Sequence, residues 1–357
     1  MFNLTKYSDM EIIKLAKDLS KHKRLSNMIC LNGSSHPELG VRISGLLGIP
    51  IVDCVVENFS NTEIRVEIRE NVRNKDVFLI QTGSFSNYDC RSVNDNLMET
   101  MIMIDACKRS AVKSITLIMP CYPYARQDKK DEARAPISAK LVANMLTMAG
   151  IDRLIVMDLH ASQIQGFFDI PVDNIYSIIL LKQYLDKTMF KGLSLEELRE
   201  KYILVAPDAG ATKRTLKFSE KMNLNMVIMH KERNYKKKNT VNKTVLISDG
   251  DGVVGKTAII CDDMCDTAGT MVKAVETLVE NGAKNVICAI THGIFSGPAL
   301  ERINNCPHIL KVIVSNSLPQ RRNMKMCDKI EMFDISPLMT KIIYCIATGE
   351  SISALFK

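Results

Sequence analysis

The feature that most constrains this chain is that one strand–helix–strand pattern occurs in it twice. In the first half, Asp76-Val-Phe-Leu-Ile80 is an unbroken apolar strand, followed by a helical stretch near Asn96 to Lys108 and the strand Ser114-Ile-Thr-Leu-Ile118. The second half repeats the order with Thr257-Ala-Ile-Ile-Cys261, a helix near Thr270 to Glu280, and Asn285-Val-Ile-Cys-Ala-Ile290. Apolar strands without polar alternation, separated by helices, specify an α/β chain with a mainly parallel sheet covered on both faces. The correspondence runs position by position, since Glu70 to Ile80 parallels Asp251 to Cys261, and Ala111-Val-Lys-Ser-Ile parallels Gly282-Ala-Lys-Asn-Val. Two similar lobes are therefore expected, 27–170 and 171–357, with 1–26 as an N-terminal extension. The 357 residues agree with two domains at about 150 residues each.

The extension carries a capping-box pattern at Ser8-Asp9-Met10-Glu11, then Ile12, Leu15, Ala16 and Leu19 at helical spacing. It reads as an amphipathic packing or interface helix, and Asp9, Glu11 and Asp18 argue against an acid-poor transit peptide. Lys182 to Lys201, rich in charge and in leucine, starts the second lobe rather than linking flexibly. No apolar run approaches the roughly 20 residues that cross a bilayer. Eleven cysteines with no Cys-x-x-Cys pair point to a reducing, cytoplasmic setting. A net charge of +7 suits polyanionic small molecules, while the absence of Trp and only 6% aromatic residues argue against nucleic acid as partner.

Gly250-Asp-Gly-Val-Val-Gly255-Lys256-Thr257 matches the P-loop pattern, but Thr257 leads into a strand where a P-loop must open a helix. Gly250 and Gly252 suit a hairpin turn instead. The sharper signal follows: Asp262-Asp263-Met-Cys-Asp266-Thr267-Ala268-Gly269-Thr270 ends a strand that reads as stopping at Asp262 and leads into a helix. Small residues there let backbone N–H groups reach a phosphate, and Thr267 and Thr270 add hydroxyl donors. The adjacent acids would repel a phosphate but can accept hydrogen bonds from a sugar diol. The matching stretch of the first lobe, Ile80-Gln81-Thr82-Gly83-Ser84, lacks the acids, so the duplication kept one such site and lost the other.

Asp158-Leu159-His160 and Pro207-Asp208 close two further strands with side chains suited to a divalent ion. His230 to Lys238, after the strand Met226 to Met229, concentrates positive charge, and Lys231 and Arg233 could face one ligand together only if this loop bends as a closing lid does. A second basic segment, Tyr124 to Arg134, implies several phosphates.

From about Cys30 to Phe356 the sequence resembles the ribose-phosphate pyrophosphokinase family. Seven segments in order carry the resemblance: Asn32 to His36, Phe59 to Glu63, Tyr124 to Lys130, Ala135 to Lys140, Asp158 to Asp169, His230 to Arg233 and Asp262 to Thr270. The resemblance implies two phosphoribosyltransferase-type lobes and transfer of the diphosphoryl group of ATP to the 1-hydroxyl of D-ribose 5-phosphate, with Mg2+, releasing AMP. It implies that Lys231 and Arg233 are catalytic, stabilising charge in the transition state. Asp262 and Asp263 would hold the ribose hydroxyls, and Asp266, Thr267, Ala268, Gly269 and Thr270 the 5-phosphate. Arg126, Gln127 and Asp131 would bind ATP, joined by Phe59, Asn61, Thr62 and Glu63 from a neighbouring subunit, so that a homo-oligomer, a hexamer by resemblance, is expected. His160, Asp208 and Asp158 would hold the metal.

Three features depart from the family pattern: Ala211 for a second glycine, Asn71 for a serine before Val72-Arg73, and a longer Ser84 to Val93 segment. They bear on control by phosphate or ADP more than on catalysis, and Arg73 keeps a phosphate partner available. Two alternatives were weighed. A phosphoribosyltransferase leaves Phe59 to Glu63 and the duplicated lobe unexplained, and a non-catalytic regulatory subunit is at odds with the intact Lys231, Arg233 and acid-threonine loop.

Overall fold

The computed structural model describes residues 27–85, 90–233, 241–247 and 252–356, with backbone alone for 231–233 and 241–244. The extension 1–26, the basic run from Asn234 to Lys238, and Gly250 lie outside the described residues.

In the first sheet, β1 (Met28–Asn32), β4 (Asp76–Ile80), β5 (Ser114–Ile118), β6 (Arg153–Met157) and β7 (Val172–Ile175) lie side by side in that order, all parallel. Between β1 and β4 the chain makes a separate antiparallel hairpin of β2 (Cys54–Asn58) and β3 (Ile64–Ile68). In the second sheet, β8 (Tyr202–Ala206), β11 (Thr257–Cys265), β12 (Asn285–Gly293), β13 (Ile309–Ser315) and β14 (Ile330–Phe333) repeat the first order step for step. The inserted pair β9 (Met226–Arg233) and β10 (Val241–Ile247) extends that sheet beside β8, with β10 its antiparallel edge. Two sheets of the same winding are what the repeated pattern requires.

Burial explains the strands. Val77, Leu79, Ile115, Leu117 and, in the second sheet, Ala258, Ile259 and Cys261 are at most 1% exposed, because helices cover both faces. The helix Val93–Arg109 starts on a reciprocal box in which Asp95 N–H donates to Ser92 Oγ at 3.2 Å and Ser92 N–H to Asp95 Oδ2 at 2.8 Å. Ser194 and Glu197 start the helix Leu195–Lys201 in the same way, and with Ile178–Lys187 it turns the charged 182–201 stretch into two short helices.

The chain divides into two compact units. One comprises the residues up to Tyr176, with Ser317–Pro319 and the stretch from Asp334; the other comprises Ser177–Asn316 and Gln320–Phe333. The carboxyl end thus departs from the expected 171–357 lobe. The helix Ser336–Thr348 packs on the helix Pro37–Leu47 of the first unit, buries Leu338, Met339, Ile342 and Ile343, and Asp334 before it pairs with Arg42 at 3.1 Å. The helix after β7, Ile178–Lys187, belongs instead to the second unit, against β14.

Three local expectations are corrected. β10 and β11, which flank the stretch with Gly252, are not hairpin partners, since β10 pairs with β9 while β11 lies between β8 and β12. β11 runs on to Cys265 rather than ending at Asp262, because its ladder with β12 continues past the acids. β9 extends through Arg233, so Lys231 and Arg233 lie on a strand paired with β10 and not in a bent loop, and no bend is needed for them to serve one ligand, because positions two apart in a strand belong to one face. As expected, Thr257 opens a strand and not a helix, which removes the P-loop. Among the described residues no helix is long and apolar enough to cross a membrane. All eleven cysteines are free thiols.

Two glycines in the first unit differ in what surrounds them. A Cβ on Gly83, after β4, would lie 2.7 Å from the Cys121 carbonyl oxygen and 2.3 Å from Pro123 Cδ, whereas one on Gly45, in the helix Pro37–Leu47, meets nothing within 4 Å. Gly83→Ala is expected to destabilise the protein by about 1–3 kcal/mol through overpacking. Gly45→Ala should stabilise it by up to about 1 kcal/mol through helix propensity. Urea midpoints of both variants against the parent check the pair.

Candidate functional site

The second unit opens where β11 outlasts its neighbour. β11 pairs with β8 only as far as Ile260 with Val205, while on its other side it stays paired with β12 from Asp262 with Ile290 to Cys265 with Gly293. Asp262 and Asp263 therefore stand at the carboxyl end of a parallel sheet, past the end of β8, where ligands of α/β sheets bind. The Asp263 side chain is only 6% exposed, that of Asp262 33%, and Asp263 N–H donates to Asp262 Oδ1 at 2.9 Å. Burial and the adjacent Asp263 carboxylate hold the Asp262 carboxyl well above the ordinary range, against the opposing pull of Arg214.

Arg214 stands at these acids, and sequence reasoning did not single it out. It sits in the helix Thr212–Met222, and its Nη1 lies 3.1 Å from Asp263 Oδ1 and 3.8 Å from Asp262 Oδ1. A signal was present, since Lys213 and Arg214 occupy the first turn of a helix with no acid there, the end where the macrodipole disfavours cations.

Beyond the acids, the chain turns through Ala268 in the left-handed region at φ 59° and enters the helix Gly269–Glu280. The carbonyls of this turn face away and are occupied. Cys265 O accepts from Ile294 and Phe295 N–H, Asp266 O from Ser296 N–H at 2.9 Å, and Thr267 O from Arg302 Nη1 at 2.9 Å. No side chain caps the helix start, and Thr267 and Thr270 are exposed. The first-turn N–H groups and two hydroxyls are thus available to an anion, supported by the helix dipole.

At the equivalent tip of the first unit, the duplication places Gln81 and Thr82 where the second has Asp262 and Asp263. Gln81 is fully buried, its Oε1 accepts from Ser35 N–H at 3.0 Å, and its Nε2 donates to Glu99 Oε1 at 3.0 Å. Glu99, itself fully buried, also accepts from Ser34 N–H at 2.7 Å and pairs with Arg91. The protein's own side chains close this tip.

The remaining predicted residues are positioned as follows. In the first unit, Phe59 is 54% exposed at the turn between β2 and β3, which is closed by Phe59 N–H to Glu63 O at 2.8 Å and Thr62 N–H to Phe59 O at 2.9 Å. Thr62 takes φ 72° there, and Asn61 Oδ1 accepts from Glu63 N–H at 3.2 Å. Arg126, Gln127 and Asp131 are exposed, with Gln127 accepting from Ser138 Oγ and Asp131 paired to Lys129 at 3.2 Å. Asp158 follows β6 and is buried, whereas His160 is exposed. In the second unit, Asp208 follows β8, is exposed, and accepts from Ala211 N–H at 3.0 Å. Lys231 and Arg233 occupy the far end of β9. Among the described residues, no three His, Cys, Asp or Glu side chains stand together as a metal cage.

Comparison with known proteins identifies the family. Residues 28–150 match the family model of the N-terminal domain of ribose phosphate pyrophosphokinase, and 240–357 match that of the phosphoribosyl synthetase-associated domain. The solved structure of phosphoribosylpyrophosphate synthetase from Mycobacterium smegmatis is 38% identical, with a TM-score of 0.79, over 90% of this chain and 99% of that one. An adenine phosphoribosyltransferase is 18% identical over 38% of this chain and 76% of its own, at a TM-score of 0.29. The hypoxanthine phosphoribosyltransferase of Trypanosoma cruzi is 14% identical over 32% and 63%, at 0.25. At those values the two transferases add nothing to the assignment.

The raised Asp262 carboxyl makes a prediction of definite sign. The folded chain holds this proton more tightly than the unfolded one, so the contribution to stability is full below the ordinary carboxylate pKa of about 3.9 and is lost as pH rises through the raised value. Asp262→Asn stays neutral throughout. Its urea midpoint in ligand-free buffer should exceed the parent's at pH 8, and the gap should close towards pH 4; a gap independent of pH would remove the charge conflict.

Proposed function

This chain belongs to the ribose phosphate pyrophosphokinase family, and on that premise we propose how its residues divide the work of its reaction. The enzyme transfers the diphosphoryl group of ATP to the 1-hydroxyl of ribose 5-phosphate, giving phosphoribosyl pyrophosphate and AMP. The observation that carries our assignment is the contrast between the duplicated tips: Gln81 is sealed by Ser35 and Glu99, while Asp262 stands a third exposed before an uncapped helix start.

Ribose 5-phosphate takes the open tip. Asp262, with Asp263 behind it, accepts hydrogen bonds from the ribose hydroxyls, and the 266–270 turn receives the 5-phosphate on backbone N–H groups and the Thr267 and Thr270 hydroxyls. This fixes the sugar at both ends, leaving the 1-hydroxyl oxygen to attack the β-phosphorus as the bond to the α-phosphate oxygen breaks and AMP leaves. Displacement of this kind needs alignment and neutralised equatorial oxygens rather than a protein nucleophile. Lys231 and Arg233 supply that neutralisation, and their charge acts most strongly as the transition state forms.

ATP is held through Arg126, Gln127 and Asp131, and through the 59–63 turn of another copy of the chain, whose exposed Phe59 ring offers the base an apolar face. The enzyme therefore works as a homo-oligomer. Magnesium, when bound with the nucleotide, would supply charge neutralisation at the phosphate oxygens. The donors present suit that ion, because magnesium is usually held by one or two carboxylates, waters and substrate phosphates rather than by an all-protein cage. In the second unit exposed Asp208 would serve as a direct or water-mediated partner; in the first unit exposed His160 is suited to the same role, with buried Asp158 in the turn that carries it.

Two measurements test this reading. AMP should form from magnesium–ATP only when ribose 5-phosphate is present. Lys231→Ala and Arg233→Ala should each lower kcat by about 10²- to 10⁴-fold, with the KM for ribose 5-phosphate changed by less than about threefold. Unchanged turnover in both variants would take these residues out of the chemistry.

A further inference from the structure

We infer that Arg214 is a positioning residue for the sugar site, orienting Asp262 and Asp263 and offsetting their mutual repulsion so that both can receive the ribose hydroxyls. The inference rests on the assignment of those two acids to ribose 5-phosphate. Three observations in the second unit carry it.

Geometry comes first. One guanidinium nitrogen reaches both carboxylates, at 3.1 Å to Asp263 and 3.8 Å to Asp262, and Arg214 arrives from a different element, the helix that follows β8. That helix packs on β11 and buries Thr215, Phe218 and Met222, so the approach of Arg214 is set by the fold rather than by a flexible loop. Burial comes second. The Arg214 side chain is 16% exposed and that of Asp263 6%, so the pair is little screened and its removal leaves two neighbouring carboxylates to repel each other at reduced solvation. The third observation is the placement of a cation in the first turn of its helix, against the dipole, a position that nearby anions offset.

Around the pair stand the following charged and titratable groups. On β11 itself, Cys261 and Cys265 are buried thiols whose pKa values burial raises, so they stay neutral, and Asp266 adds negative charge. His292 lies on β12, buried, in ladder register with Met264. On the helix, Lys213 and Lys217 are exposed to solvent. An arginine, rather than a lysine, suits the role because its planar fork can address two carboxylates at once and stays charged at any working pH.

The test compares Arg214→Met and Arg214→Lys with the parent full-length enzyme, using initial rates over pH together with thermal midpoints. For Arg214→Met we expect the KM for ribose 5-phosphate to rise by about 10- to 100-fold while that for ATP changes by less than about threefold. The acid limb of kcat/KM for ribose 5-phosphate should move to higher pH, since the acids hold their proton longer without the guanidinium. Arg214→Lys should restore the acid limb and recover the KM only in part. A folded Arg214→Met enzyme with an unmoved acid limb overturns the inference, even if its thermal midpoint has fallen, because a merely structural role predicts that result. Should Arg214→Met fail to fold, Arg214→Lys decides alone: a KM for ribose 5-phosphate within about twofold of the parent overturns the inference. Asp263→Asn separates the two levels. If it leaves ribose 5-phosphate binding intact by calorimetry, the assignment of the acids fails; if it abolishes binding while Arg214→Met changes nothing, only the positioning role fails.

Discussion

A strand buried on both faces can offer a polar side chain in one place, beyond the end of its apolar run. β4 and β11 are such strands, each flanked by parallel neighbours and covered by helices, with residues such as Leu79 and Ile259 wholly buried. The fold therefore concentrates chemistry at the carboxyl tips and leaves only the tip residues free to vary. The two units share one strand order, and at these tips Gln81 and Thr82 stand against Asp262 and Asp263, while β11 runs on to Cys265 where β4 stops at Ile80. The functional difference between the units starts from that pair of positions.

Placing two carboxylates side by side at the rim of a core sets up a charge conflict, and the surroundings of β11 are arranged around it. Burial first and the adjacent Asp263 carboxylate second keep the Asp262 carboxyl raised even with Arg214 pulling the other way. A ligand that donates hydroxyl hydrogens to both acids offsets the conflict further, so stability given up in the ligand-free chain becomes affinity for a diol. The neighbouring turn has the opposite electrostatics, since a helix start without a cap offers partial positive charge. Donors and acceptors a few residues apart thus match a sugar phosphate, acidic under the hydroxyls and electropositive under the phosphate.

Much of this was legible in the sequence, and the shortfalls have physical causes. β4 and β5 were read residue for residue because turn residues bound their apolar runs. β11 and β12 were read short because Asp262, Thr291 and His292 look like strand ends, yet a ladder continues as long as its neighbour does, whatever the side chains. β9 was read short for the same reason, since the backbone pairing of Lys231 to Arg233 with β10 is indifferent to their charge. The acids and the phosphate turn were legible because they are contiguous. Arg214 was not, because its partners lie on a distant strand and nothing local to the helix names them. Nor could an apolar helix face at Leu338 to Ile343 say which unit it would cover.

The closed tip of the first unit is more than an absence of acids. Gln81, Ser34, Ser35, Glu99 and Arg91 form one buried network in which each polar atom named has a partner, and the one ion pair, Arg91 with Glu99, is already balanced. An aspartate at position 81 would bring a second carboxylate against buried Glu99 and would lose the amide donor that Glu99 now receives, so the conflict that Arg214 relieves at β11 would arise at β4 with its only neighbouring cation, among the described residues of this network, already engaged. A Cβ on Gly33 would fall 2.3 Å from Gln81 Oε1, so the β1 turn is fitted to that glutamine as well. Restoring a sugar site in the first unit would therefore require several coordinated substitutions. Packing and charge balance together thus hold the first unit's tip closed.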